Sequence, residues 1–178
     1  MITQIDIQIM MWIQEHMRSE FMDSFMKFIT WIGDWMLLWA ILFVIYFIFK
    51  KQERNAKILA LSLCISFLVN QLILKNIVKR PRPFVENSQL PSLISEPTSY
   101  SFPSSHSATS FAVASSLSLV NKSLRFISYL LAILIAFSRV YLNVHHPSDV
   151  LVGALVGILS TYVAEKIVNL FEKRKLAK

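Results

Sequence analysis

The spacing of apolar positions divides the chain into two kinds of segment. Between residues 2 and 30 they fall at Ile2, Ile5, Ile9, Trp12, Ile13, Met17, Phe21, Phe25, Phe28 and Ile29, with Gln8, Glu15, Arg18 and Asp23 on the other side of the same helical wheel. One apolar stripe at a period near 3.6 predicts an amphipathic helix, or two in succession, lying in a membrane interface or on the rim of a helical bundle. From residue 31 the polar side disappears. A first apolar run starts at Trp31 or Trp35 and ends at Phe49, where Lys50, Lys51 and Arg54 stop it. A second runs from Ala56 to Leu74, with Asn70 and Gln71 near its end. A third opens at Pro103-Ser104-Ser105-His106 and continues to Val120, a fourth covers Leu124 to Leu142, and a fifth runs from Pro147 to Phe171. Such runs suit a hydrocarbon core about 30 Å thick.

Composition agrees with that pattern. The chain has 178 residues, 54% of them hydrophobic, with a mean hydropathy of +0.51, too apolar for a water-soluble domain of this size. The length allows one domain. The expectation is an all-α polytopic membrane bundle spanning 1–178. It comprises an N-terminal amphipathic helix (1–30), about five transmembrane helices (31–171) and a basic tail (172–178). Gly153 and Gly157 form a GxxxG in the fifth run, suited to close helix packing.

Charge then orients the bundle. The net charge of +7 raises nucleic-acid binding, but the basic residues sit at the ends of apolar runs and in the tail, where topology signals and lipid contacts belong. No nucleic-acid partner is expected. Eleven Lys and Arg lie in the 50–57 loop, the 121–125 turn and the stretch from Lys166 to Lys178, against seven on the other side. This bias favours a cytoplasmic C-terminus and an outer 75–105 loop. Asp6, Glu15, His16 and Arg18 interrupt the N-terminus, so no cleavable signal peptide is expected and the chain inserts through its own spans. Cys64, the single cysteine, lies inside an apolar run and excludes an intrachain disulfide.

Three polar islands remain unexplained by topology. They are Lys75-Asn-Ile-Val-Lys-Arg-Pro-Arg82-Pro83, Pro103-Ser104-Ser105-His106, and Ser138-Arg139 through His145-His146-Pro-Ser-Asp149. In a five-span chain with its tail inside, all three reach the outer side. Lys75, Arg82 and Arg139 place cations where ionised groups are expensive, and together they can neutralise a phosphoryl dianion. Ser104 and Ser105 open a helix, a ready seat for an oxyanion, with Pro103 at its start. His145 and Asp149 are four apart. A carboxylate on one imidazole nitrogen fixes the tautomer and frees the other to attack phosphorus. His106, on another span, is the candidate acid for the leaving oxygen. Taken singly, each cation is equally a snorkelling anchor, and Asp149 an ordinary charge at a helix start. Lys79 and Arg80 read as headgroup contacts, and His146 is expected to point elsewhere. No acidic cluster of the kind that holds Mg²⁺ lies near the islands, so neither metal nor cofactor is expected.

The combined pattern, K-x6-R-P, P-S-x-H and S-R-x5-H-x3-D, resembles the type 2 phosphatidic acid phosphatase family, and within it the compact bacterial members. The resemblance covers Lys75 to Asp149. It implies a metal-independent phosphatase acting on a membrane lipid phosphate or diphosphate through a phosphohistidine. It places phosphate binding on Lys75, Arg82, Ser104, Ser105 and Arg139, the acid on His106, the nucleophile on His145 and its orienting carboxylate on Asp149. Ser105 stands where the family commonly has glycine, which bears on substrate fit. Undecaprenyl diphosphate is the substrate that the resemblance favours. Phosphatidylglycerophosphate and phosphatidate are the enzymatic alternatives, and a non-catalytic lipid-phosphate binder is the alternative from another class.

Overall fold

The computed structural model describes residues 2–120 and 122–176, and no strand occurs among them. Asn121 of the expected basic turn, and Ala177 and Lys178 of the expected tail, lie outside the described residues. The helices follow in order as α1 (Ile2–His16), α2 (Glu20–Asp34), α3 (Met36–Phe49), α4 (Glu53–Phe67), a π-helical stretch (Leu68–Leu74), α5 (Lys75–Val78), α6 (Pro83–Glu86), α7 (Ser105–Ser118), α8 (Lys122–Tyr141) and α9 (Pro147–Leu176).

Local chemistry explains the breaks. Ser19 is extended and accepts the Met22 N–H on its side chain, with Glu20 and Asp23 in the turn that follows, so a second helix starts there. The expected amphipathic segment is therefore two helices, and α2 runs on to Asp34 rather than ending at residue 30. A 49° bend separates α2 from α3. The rod of α4, the π-helical stretch and α5 ends at Lys79, which is left-handed at φ 48° just before Arg80-Pro81. The π-helical stretch changes the phase of the residues after it, Lys75 among them, and such turns recur at functional sites.

α7 is the centre of the bundle, packed by α4, α8 and α9. Its small residues make this possible: Ser107, Ala108, Ser110, Ala112, Ala114, Ser115 and Ser116 are all buried. The expected close packing at Gly153 and Gly157 is present. A Cβ at Gly153 would lie 2.5 Å from the Ser104 carbonyl oxygen, and one at Gly157 would lie 2.3 Å from that of Ala108. Hydroxyls join the helices where side chains are small, Ser62 to Ser116 at 3.1 Å and Thr161 donating to the Ala112 carbonyl at 3.1 Å.

Large apolar side chains cover the outside: Trp39, Leu42, Tyr46 and Phe49 on α3, and Leu151, Leu155, Leu159 and Tyr162 on α9 are all exposed. That surface requires an apolar solvent. The chain is a membrane protein. Among the described residues two helices are long and apolar enough to cross a bilayer, Glu53–Glu86 and Pro147–Arg174, and the bent pair Glu20–Asp34 with Leu38–Phe49 makes a third.

The N-terminal helix sits differently from its hydrophobic pattern. Asp6, Met10 and Ile13 face the bundle and are buried, while Ile5, Ile9 and Trp12 face out. Met10 and Ile13 join a core cluster with Ala136, Val140, Tyr141 and Val150, and Gln14 donates to the Tyr141 carbonyl at 3.0 Å. α1 thus has a protein-facing side and an outer apolar side.

Candidate active site

His145 is held in a short loop between α8 and α9. The Arg139 carbonyl accepts the N–H groups of Val144 and His145, both at 3.2 Å, and Asn143 takes a left-handed φ of 60° to turn the chain. The Asn143 amide donates to the Pro91 carbonyl at 3.0 Å, tying this turn to the long 87–104 loop. Arg82 fastens the other side. Its guanidinium donates to the Ser99 carbonyl at 2.8 Å and to the Val144 carbonyl at 2.6 Å, and lies 3.3 Å from His145 Nε2. Since a guanidinium only donates, Nε2 faces it as an unprotonated acceptor. Burial pushes the His145 imidazole down to about 3, Arg82 and Arg139 add to the effect, and Asp149 opposes it.

Asp149 lies behind the ring. Its Oδ2 is 3.6 Å from His145 Nδ1 and accepts the His146 backbone N–H at 2.9 Å and the Ser101 hydroxyl. Oδ1 accepts from Arg80 at 2.8 Å. The same Arg80 donates to Asp6 Oδ2 at 2.8 Å and to the Ser148 hydroxyl at 2.7 Å. Asp6 also accepts the Ser148 N–H at 2.9 Å, so a carboxylate from α1 caps the start of α9. Asp149 is thus held by residues from three parts of the chain, and Asp6 acts on it through Arg80.

The front of His145 opens into a cavity of about 620 Å³ that Lys75, Arg82, Ser105, His106 and Arg139 also line. All three cations are buried. The Ser105 hydroxyl accepts from Lys75 at 3.2 Å and from Asn70 at 3.1 Å. Arg139 donates to the Thr30 hydroxyl, and its Nε has no partner. In the same cavity, His106 Nε2 lies 2.7 Å from Asp34 Oδ1. The arrangement can gather an anion among three cations, with a neutral imidazole and a carboxylate-bound imidazole. Among the described residues no three His, Cys, Asp or Glu side chains converge as metal ligands do.

A model of the PAP2 superfamily matches residues 55–173, two thirds of the chain. The chain belongs to the PAP2 superfamily. It is 30% identical to the undecaprenyl-diphosphatase of Sulfolobus acidocaldarius over 120 residues, 67% of this chain and 58% of that one. It is 36% identical to the putative undecaprenyl-diphosphatase YbjG of Escherichia coli over 113 residues, 61% of this chain and 52% of that one. The chain spans about half the length of the curated relatives it matches. Its fold matches the crystal structure of Aquifex aeolicus LpxE with a TM-score of 0.80 at 28% identity, over 91% of this chain and 95% of that one. It also matches a PAP2-type phosphatidylglycerolphosphate phosphatase from Bacillus subtilis, with a TM-score of 0.77 at 25% identity, over 97% and 86%.

Of the PAP2 residues expected from sequence, Lys75, Arg82, Ser105, His106, Arg139 and His145 share one cavity, with Asp149 behind it. Ser104 is placed differently. It is fully buried and absent from the cavity lining, and its hydroxyl accepts the Ser107 N–H at 3.4 Å and caps α7. One further expectation is corrected. Arg80 is not a headgroup contact but the link between Asp6 and Asp149. His146 is absent from the cavity lining, as expected, and is fully buried with its Nδ1 3.2 Å from Asp149 and its Nε2 3.0 Å from Glu86. Sequence reasoning missed Asp6, Asp34, Ser101 and Thr30. Only Asp34 carried a signal, a carboxylate between Trp31 and Trp35 at the edge of an apolar run.

Proposed function

We propose that this PAP2 protein hydrolyses a membrane lipid phosphate or diphosphate through a phosphohistidine on His145. The observation that carries the reading is His145 Nε2 at 3.3 Å from the Arg82 guanidinium, in one cavity with Lys75, Arg139 and His106. Nε2 attacks phosphorus as the bond to the leaving oxygen breaks, and His106 gives that oxygen a proton. Water then attacks the phosphohistidine, His106 takes its proton, and the electrons of the broken P–N bond return to His145. Asp149 holds the ring through its Nδ1 side, and Lys75, Arg82, Ser105 and Arg139 bind the phosphoryl oxygens. The role of Ser104 is to hold the start of α7 rather than to bind phosphate.

Residues 1–178 act as a single membrane-embedded domain in this reading, with five spans formed by α3, α4, α7, α8 and α9. The cavity faces outward and the basic tail faces the cytoplasm of a bacterial cell, in keeping with the Lys and Arg distribution. α7 is only about 21 Å long at 1.5 Å per residue, which lets the cavity sink to headgroup depth. A lipid then reaches His145 with its tail still in the bilayer. Undecaprenyl diphosphate is the favoured substrate, supported by the names of two relatives. Phosphatidylglycerophosphate is the second reading, favoured by the fold match to the Bacillus subtilis phosphatase.

The test is phosphate release by purified protein from undecaprenyl diphosphate, phosphatidylglycerophosphate and phosphatidate in EDTA, with His145→Ala as control. Release from at least one lipid, abolished in the variant and inhibited by vanadate, is expected. No release from any, or an absolute need for Mg²⁺, overturns the reading.

A further inference from the structure

The phosphatase reading leaves Asp34 unused, yet Asp34 lines the same cavity and touches the candidate acid. Its Oδ1 lies 2.7 Å from His106 Nε2. The neighbouring residue makes the contact possible. A Cβ at Gly33 would lie 3.0 Å from His106 Cδ2 and 2.9 Å from Ile135 Cγ2, so glycine lets the end of α2 press onto the imidazole. One turn earlier, Thr30 accepts from Arg139, and the same turn of α2 therefore fixes a cation and an imidazole of the cavity.

We propose that Asp34 is a positioning residue for His106, so that the site holds two carboxylate–imidazole pairs. Asp149–His145 serves the attacking side, and Asp34–His106 serves the leaving side. Asp34 fixes the ring and balances its charge whenever His106 carries two protons. In the first step the His106 imidazolium passes one proton to the leaving oxygen as the P–O bond breaks. In the second it takes one proton from the attacking water as the P–N bond breaks. Both transfers occur beside the Asp34 carboxylate. This inference rests on the phosphatase reading.

The leaving group separates a role in proton transfer from a structural one. A monophosphate ester expels an alkoxide, which needs a proton in the transition state. A diphosphate expels a lipid monophosphate, whose second pKa is about 6, and which leaves without one. General acid catalysis is worth about 10² to 10⁴-fold. Asp34 is more than half exposed, so Asp34→Asn keeps the fold. The measurement is single-turnover phosphoenzyme formation by full-length protein on phosphatidate and on undecaprenyl diphosphate. Asp34→Asn is expected to lose about tenfold or more of that factor on phosphatidate and clearly less on the diphosphate. Asp34→Glu is expected to recover part of it. In a His106→Ala background Asp34→Asn is expected to add no further loss, since both act through one ring. Equal losses on the two lipids, or losses that add to those of His106→Ala, overturn the role of Asp34 and leave the phosphatase reading standing. A wild-type protein that releases phosphate from neither lipid overturns both.

Discussion

Asp6 and Arg80, 74 residues apart in the chain, meet at 2.8 Å behind the candidate active site, and the other guanidinium nitrogen of Arg80 reaches Asp149 at 2.8 Å. The first helix is thereby joined to the carboxylate that lies 3.6 Å from His145 Nδ1 and is proposed to orient it. Replacing Asp6 by Asn removes the charge from a pair that is almost wholly buried and weakens the cap on Ser148. Breaking one partner of a buried pair typically costs about 3–5 kcal/mol. The expected outcome is a lower Tm in detergent and a fall in kcat of about tenfold, with KM nearly unchanged because no phosphate-binding residue is touched. A KM effect without a kcat effect would show that the link positions substrate rather than His145.

Much of this site was legible in the sequence because its parts are short motifs. Lys75 to Arg82, Ser104 to His106 and Arg139 to Asp149 each bring their own spacing, and polar residues at the ends of apolar runs stand out. What was not legible depends on contacts between motifs. Asp6 looked like an interruption of a stripe, and only the packing of α1 beside α9 shows its partner. Nor does the spacing of His146 show that its ring lies between Asp149 and Glu86, outside the cavity. The face that α1 buries was not legible either, for a physical reason. A helix between protein and lipid is apolar on both sides, and hydrophobicity alone does not say which side meets protein.

Gly157 is a sharp test of the α7–α9 contact. A Cβ there would lie 2.3 Å from the Ala108 carbonyl oxygen and 2.8 Å from the Ala112 nitrogen, and neither backbone atom can turn away. Gly157→Ala must separate the helices, at a cost of about 1–3 kcal/mol. Since α7 begins at Ser105 and His106 and α9 holds Asp149, activity is expected to fall along with Tm. An unchanged Tm would mean that the two helices approach less closely than the structure places them.

Sidedness is tested by labelling. Ser88 is exposed beyond α6, and Lys173 is exposed near the end of α9. In a Cys64→Ser background, Ser88→Cys is expected to react with an impermeant thiol reagent in intact cells, and Lys173→Cys only after lysis. The reverse pattern would place the cavity in the cytoplasm and remove the outward-facing reading.

The protonation state of His145 gives the last prediction. The residue lies in the loop between α8 and α9, where burial pushes its imidazole down to about 3 from an ordinary 6.5, with Arg82 and Arg139 adding and Asp149 opposing. The folded protein then binds fewer protons than the unfolded chain between those two values. Stability from this group is fully present above pH 6.5 and is lost progressively as pH falls towards 3. For function the sign is favourable, because the attacking nitrogen stays unprotonated across the whole neutral range. Imidazole ¹⁵N spectra of histidine-labelled protein in detergent, assigned with His145→Gln, are expected to show a neutral ring at His145 from about pH 5 to 7. A midpoint near the ordinary value would mean that water reaches the ring and that the two guanidiniums do not act on it. With the ring neutral, any loss of single-turnover rate in that range belongs to the substrate or to another group, since His145 has no proton to shed before it attacks.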